Sequence, residues 1–246
     1  RDLQLMKEGG FVLQRLAHYP VSPVMLDWAD RHGMLIIAEA GNTGGTAGML
    51  ASEQRRATFR ALHAAMMERD WNHPSVVAWS VGNEYAADTP EGVAWTKDMV
   101  AFTRGLDSTR PVTFVSNTVA KAGLRSPEDE GSAFVDFVCL NTYGRTPREN
   151  AANIDRAHAR HPGKPLLVTE YGFRHDFAGD ETERIDWFRE MLAVARARPF
   201  VSGLSVWSFN DYRSRYVGTN PNGWREWGLV ATDRTPRATY HALRRE

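Results

Sequence analysis

The feature that most constrains this chain is an alternation. Seven short apolar runs, GFVLQRL (10–16), MLIIAEA (34–40), SVVAWSV (75–81), PVTFVSN (111–117), FVDFVCLN (134–141), PLLVTEY (165–171) and VSGLSVWSF (201–209), are separated by longer amphipathic stretches. The runs have the length and the composition of strands buried on both faces. Between them lie segments of helical spacing. SPVMLDWADRHG offers a serine N-cap and a closing glycine, ETERIDWFREMLAVARAR repeats apolar residues every three to four positions, and RRATFRALHAAMMERD (55–70) reads as an amphipathic helix. Strands that alternate with helices imply a parallel sheet, because parallel neighbours need a crossover between them.

Spacing separates an open sheet from a barrel. From Glu84, after the third run, to Glu170, in the sixth, is 86 residues over three repeats, close to the ~30 per unit of a (β/α)8 TIM barrel. No GxGxxG or GxxxxGK[ST] loop follows a strand, which weakens a nucleotide-binding doubly wound sheet. Only seven strands are found where a closed barrel needs eight. RDLQLMKEGG reads as the first helix and TPRATYHALRRE as the last. The expectation is therefore one incomplete TIM-barrel domain over residues 1–246, lacking strand 1 at its N-terminus. Its seam would expose strand edges at 11–16 and 201–209.

Composition narrows the partners. The chain has 246 residues, 42% of them hydrophobic, enough for a sizeable core. Thirty basic and thirty acidic side chains cancel, so no global field draws in nucleic acid or an anionic membrane surface. The single cysteine, Cys139, lies in an apolar run; it allows no internal disulfide and reads as a buried core residue. No run approaches the ~18 apolar residues of a membrane span. The first ten residues have no apolar leader segment, and the compartment stays open.

In a barrel of this type the site forms at the C-terminal ends of the strands. Those ends carry His18 and Tyr19, Glu39 and Asn42, Asn83 and Glu84, Asn117, Asn141 and Tyr143, Glu170 and Tyr171, and Trp207, Asn210 and Asp211. Any one of these could cap a helix or solvate a loop; the set is harder to dismiss. Two glutamates from different strands facing a pocket of amides and aromatic rings suit glycoside cleavage. One carboxyl protonates the leaving oxygen, and the other attacks the anomeric carbon or activates water. An acid catalyst has to keep its proton near neutral pH, and the apolar strand beneath Glu84 favours that. His63, His73, His158, His161 and His175 show no metal-ligand spacing and read as structural, as do Trp28, Trp71, Trp79, Trp95 and Trp187. Trp224 and Trp227, in the last loop, are candidates for sugar stacking.

These residues carry a resemblance. NHPSVVAWSVGNE (72–84) resembles the acid/base signature of glycoside hydrolase family 2, which contains β-galactosidases, β-glucuronidases and β-mannosidases. LLVTEYG (166–172) is similar to that family's nucleophile strand, RLAHYP (15–20) to its second strand, and WSFNDY with DRTPRATYHALRRE to its last strand and closing helix. The resemblance implies a retaining exo-β-glycosidase acting on terminal β-galactosides or β-glucuronides. Glu84 would be the general acid/base and Glu170 the nucleophile. Asn83 would bond the sugar 2-hydroxyl, Tyr143 would orient the nucleophile, His18 would bind sugar hydroxyls, and Trp207 would wall the subsite. Asn141 and Asp211 complete the expected sugar contacts. The family also implies a cis peptide at Trp207–Ser208, and upstream sugar-binding and β-sandwich domains through which a parent protein could form oligomers.

Two departures from the family pattern stand out. GNTGGTAGM (41–49) has no histidine or carboxylate where metal-dependent members have a Glu-x-His pair, so no metal and no cofactor are expected. The last loop, YRSRYVGTNPNGWREWG, lacks the Asn-x-Lys pair with which β-glucuronidases hold the substrate carboxylate. Arg213, Arg215 or Arg225 could bind a carboxylate instead, or could merely pin the loop. An endo-acting retaining glycanase of a related barrel family and a non-catalytic carbohydrate-binding barrel are the alternatives. Schiff-base chemistry is disfavoured, since none of Lys7, Lys97, Lys121 and Lys164 falls at a strand's C-terminal end.

Overall fold

A computed structural model describes all 246 residues. The strands β1 (Leu13–Arg15), β2 (Leu35–Glu39), β3 (Val76–Asn83), β4 (Val112–Ser116), β5 (Val138–Asn141), β6 (Leu166–Tyr171) and β7 (Val201–Val206) form one parallel sheet whose spatial order is the chain order. Helices α1 (Asp2–Glu8), α2 (Pro23–His32), α3 (Ala47–Leu50), α4 (Glu53–Asp70), α5 (Pro90–Leu106), α6 (Pro147–Arg160), α7 (Glu181–Arg196) and α8 (Ala238–Leu243) alternate with the strands, and a two-stranded ribbon, β8 (Tyr212–Arg213) and β9 (Trp224–Arg225), lies between β7 and α8. This is a nearly closed TIM barrel with seven strands, as the alternation predicts. No helix is long and apolar enough to cross a membrane.

The expected seam lies between the two edge strands. All six residues of β6 are buried, whereas every residue of β7 keeps some exposure. The chain ends brace this side. Tyr240 Oη of α8 donates to Leu5 O at 2.7 Å, Arg234 pairs with Asp2 at 2.8 Å, and the Phe11 ring meets Phe209 edge-on at 6.3 Å.

Local chemistry sets most element ends. Gly33 closes α2 in the left-handed region at φ 66°, a conformation glycine adopts without steric cost. The Ser22 side chain makes no capping bond; Pro23, which has no N–H to satisfy, starts that helix instead. Ser52, Thr89, Thr146 and Asp180 do cap α4, α5, α6 and α7 through side-chain oxygens. One predicted strand shortens: β5 starts at Val138, because Gly131–Phe134 wind into a 3-10 turn and Asp136 leaves the ladder to accept the Val112 N–H at 2.7 Å. The β8/β9 ribbon is too short to leave a periodic signal in the sequence.

The core follows the reading of the aromatic residues in part. Trp79 and Trp95 are fully buried and Trp187 nearly so, while Trp71 is 38% exposed and Trp28 stacks on His32 at the surface of α2. Cys139 is buried on β5. His73 fixes the entry to β3: its Nδ1 lies 2.6 Å from Asp30, whose other oxygen accepts the Ser75 N–H.

Candidate active site

The C-terminal ends of the strands open onto one cavity of about 1470 Å³. Of the expected residues, His18, Asn83, Glu84, Asn141, Tyr143, Glu170 and Trp207 line it. The backbone turns sharply into Glu84. Gly82 sits at φ 142°, and a Cβ there would lie 2.6 Å from Asn42 O, so no larger residue fits. Glu84 itself adopts φ 46°, which costs a non-glycine residue about 1–3 kcal/mol. Its N–H is tied to Val115 O at 2.9 Å, and this tether holds the strained turn that aims the carboxyl inward.

The two glutamates are held differently. Glu170, buried at the end of β6, receives an ion pair from Arg15 of β1 on Oε1 and the Tyr143 hydroxyl on Oε2 at 2.5 Å. A guanidinium and a phenol stabilise negative charge there. Glu84 is half-buried and receives only the neutral Asn141 amide, 2.8 Å from Oε1. Asn141 bridges the pair. It is registered opposite Glu170 across β5 and β6 while its side chain reaches Glu84. Tyr143, which touches Glu170, follows Asn141 by two residues, a Cα separation of at most ~7 Å. The Tyr143 hydroxyl also feels Glu84: although the residue as a whole is 41% exposed, desolvation of its hydroxyl first, and that negative charge second, push it above the ordinary phenol range. Both carboxyl groups therefore line the same cavity and share Asn141 and Tyr143 as neighbours.

An amide network fixes the groups around them. Asn141 Nδ2 also donates to Asn83 Oδ1 at 3.1 Å, Asn83 Nδ2 donates to Thr43 Oγ1 at 3.1 Å, and Thr169 Oγ1 donates to Asn141 Oδ1 at 2.9 Å. On the opposite wall, Trp207 stacks on His18 at 5.7 Å and donates its indole N–H to the Tyr212 hydroxyl at 2.9 Å. The Trp207–Ser208 peptide is cis, as the resemblance implies, and so is Ala17–His18, which nothing in the sequence announced.

One expected sugar contact is placed elsewhere. Asp211 is buried outside the cavity lining, with Arg237 at 2.7 Å on one oxygen and the Gly228 N–H at 2.8 Å on the other. Both oxygens are consumed inside the protein, so Asp211 anchors the last loop. In the other direction, the sequence reading missed Arg15, hidden in the apolar run GFVLQRL, and gave no role to Glu39. Glu39 is fully buried beneath the cavity; it accepts from Ser80 Oγ at 2.7 Å and lies 3.4 Å from both Arg15 and His18. A buried arginine needs a buried acid, and Glu39 in the neighbouring run was the available signal. Tyr212, Arg225 and Trp227 also line the cavity.

Over residues 1–246 the chain matches the family described as Glycosyl hydrolases family 2, TIM barrel domain. Curated relatives include the β-glucuronidases of Pongo abelii, 28% identical over 265 residues covering 99% of this chain and 39% of that protein, and of Bacteroides fragilis, 28% identical over 257 residues covering 96% and 36%. Among solved structures, a β-glucuronidase from an uncultured Clostridium superposes with a TM-score of 0.88 at 27% identity, covering 99% of this chain and 45% of that one. A β-galacturonidase from Eisenbergiella tayi bound to galacturonate superposes with a TM-score of 0.86 at 25% identity, covering 99% and 46%. The chain thus spans less than half the length of these relatives. With its whole length matched to that barrel and two glutamates at the barrel's strand ends, the chain belongs to glycosyl hydrolase family 2.

Proposed function

We propose that this barrel is the catalytic domain of a retaining β-glycosidase that removes terminal sugars, of the β-glucuronide or β-galactoside type, by double displacement. The observation that carries the reading is the unequal environment of two neighbouring carboxyl groups. Glu170, charge-stabilised by Arg15 and Tyr143, suits a nucleophile; Glu84, with one neutral donor and one oxygen open to the cavity, suits a proton carrier.

In the first step a Glu170 oxygen attacks the anomeric carbon while Glu84 gives its proton to the glycosidic oxygen, and the aglycone leaves as an alcohol. Forming the ester removes the charge from Glu170, which eases ionisation of Glu84. In the second step Glu84 takes a proton from water, the water oxygen attacks the anomeric carbon, and Glu170 departs as carboxylate. Asn83 and His18 hold sugar hydroxyls, and Trp207 forms a wall of the subsite. Relatives that act on β-glucuronides support the substrate class.

The test is chemical rescue. Glu84→Ala should lose roughly 10²–10⁴-fold in turnover of an unactivated glycoside. Added azide should restore turnover of an activated aryl glycoside and yield the β-glycosyl azide. Failure of rescue, or an α-configured azide product, contradicts the acid/base role or the double displacement.

A further inference from the structure

We infer that the cavity continues past Glu84 into a second sugar-binding subsite, which takes the leaving group as a neutral, hydroxyl-rich sugar against a wall made by Asn117 and one face of α6; this rests on the glycosidase reading above. The acid that protonates the glycosidic oxygen has the leaving group on its own side. At about 1470 Å³ the cavity exceeds the ~300–1,000 Å³ of a site for one small ligand, which leaves room beyond a single glycosyl ring.

Two elements build the wall next to Glu84. The Glu84 N–H is held by Val115 O at 2.9 Å, and Asn117 follows Val115 by two residues, a Cα separation of at most ~7 Å. Asn117 lines the cavity, is exposed, and makes no side-chain hydrogen bond within the protein. The second element is α6. Its residues Glu149, Ala152, Asn153 and Arg156 recur at i, i+3, i+4 and i+7, the spacing of one helix face, and all four line the cavity. Helices of such a barrel form its outer ring, so a helix face in the lining carries the cavity outward beyond the strand ends.

Internal hydrogen bonds fix this wall. Asn141 donates to Glu84, and the next residue, Thr142, turns the other way: its hydroxyl donates to the buried Asn150 Oδ1 at 2.8 Å and accepts from Asn153 Nδ2 at 2.9 Å. Arg156 donates to Asn153 Oδ1 and, through Nε, to Ala120 O at 3.0 Å, which ties α6 to the loop after β4. Asn153 therefore keeps one oriented amide hydrogen for a ligand, and Asn117 keeps its whole amide. A donor already held in place binds a hydroxyl with little further ordering. Glu149 and Arg156, the charged groups of this wall, are opposite in sign, so it favours no ionic group. It contributes no aromatic ring either; Trp207, Tyr212 and Trp227 come from the segment between β7 and α8. Amides without a stacking ring suit a second sugar better than a flat aromatic aglycone.

The experiment gives the full chain three substrates that share one glycosyl group, in a glucuronosyl and a galactosyl series: the β-glycosyl fluoride, the cyclohexyl β-glycoside, and the disaccharide with glucose (cellobiouronic acid or lactose). The fluoride has no leaving sugar, and the cyclohexyl ring fills the space of glucose without its hydroxyls. In the series that wild type hydrolyses, the disaccharide should exceed the cyclohexyl glycoside in kcat/KM by roughly 10-fold or more. Asn117→Ala and Asn153→Ala should each cut that advantage roughly 5- to 10-fold, while kcat/KM for the fluoride stays within about twofold. No disaccharide advantage in wild type, an advantage unchanged in both variants, or an equal loss on all three substrates overturns the assignment. If wild type hydrolyses neither series, the glycosidase reading fails, and calorimetric binding of lactose and cellobiouronic acid still decides on the wall: binding weakened in both variants supports it, and binding unchanged refutes it.

Discussion

Arg15 on β1 makes an ion pair with Glu170 on β6, across 155 residues of sequence, and its other terminal nitrogen lies 3.4 Å from the fully buried Glu39. One cation therefore serves two buried carboxylates. Removing it leaves both without a counter-ion, which is far costlier than losing a surface pair. Arg15→Gln should destabilise the fold by about 3–5 kcal/mol, read as a lower thermal midpoint, and should nearly abolish turnover. Arg15→Lys should recover part of the stability but less of the rate, since a lysine keeps the charge and not the fork. An Arg15→Gln protein of unchanged midpoint would show that the pair carries no such weight.

Asp211 and Arg237 hold the loop that brings Trp207, Tyr212 and Arg225 to the cavity. Asp211→Ala and Arg237→Ala should each cost about 3 kcal/mol and speed proteolysis within residues 212–227. The double variant should cost much less than the sum, because each single change already breaks the shared contact. Additive losses in a thermal double-mutant cycle would mean that the two side chains act separately.

The buried histidine of α4 gives the fold an acid weakness. His63 lies against Phe59, bonds Thr103 Oγ1 at 3.0 Å, and is pushed down to about 4 by burial. Above pH 6.5 the ring is neutral in both folded and unfolded chains and contributes nothing to the pH dependence. As pH falls from 6.5 to about 4, only the unfolded chain takes up the proton, so stability drops by about 3 kcal/mol. Below about 4 the penalty is constant. His63→Gln should flatten this part of the stability profile measured by urea unfolding, and an identical slope in the variant would exclude His63 as its source.

Much of this was legible before the fold. Strand order followed from period and spacing, and the two glutamates stood out because each closes an apolar run with a carboxylate. Three features were hidden, each for a physical reason. Arg15 sits inside an apolar run, and only the register that places Arg15 beside Ile37, two residues before Glu39, shows that its charge is matched. Asp211 sits in the same stretch as Trp207, yet its partner Arg237 is 26 residues away, so the sequence could not tell anchor from ligand. The loop-holding roles of Arg174 and Arg184 were hidden because the carbonyls they bond, Gly218 and Trp227, lie 44 and 43 residues away along the chain.

The central claim is that Glu170 becomes covalently attached to the sugar. The most direct measurement is trapping with a 2-deoxy-2-fluoro-β-glucuronosyl fluoride, followed by peptide mapping by mass spectrometry. One fluoroglycosyl adduct on the peptide bearing Glu170, absent from Glu170→Gln, is the predicted result. An adduct on Glu84 or on any other residue, or continued turnover of the reagent with no adduct formed, would contradict the account.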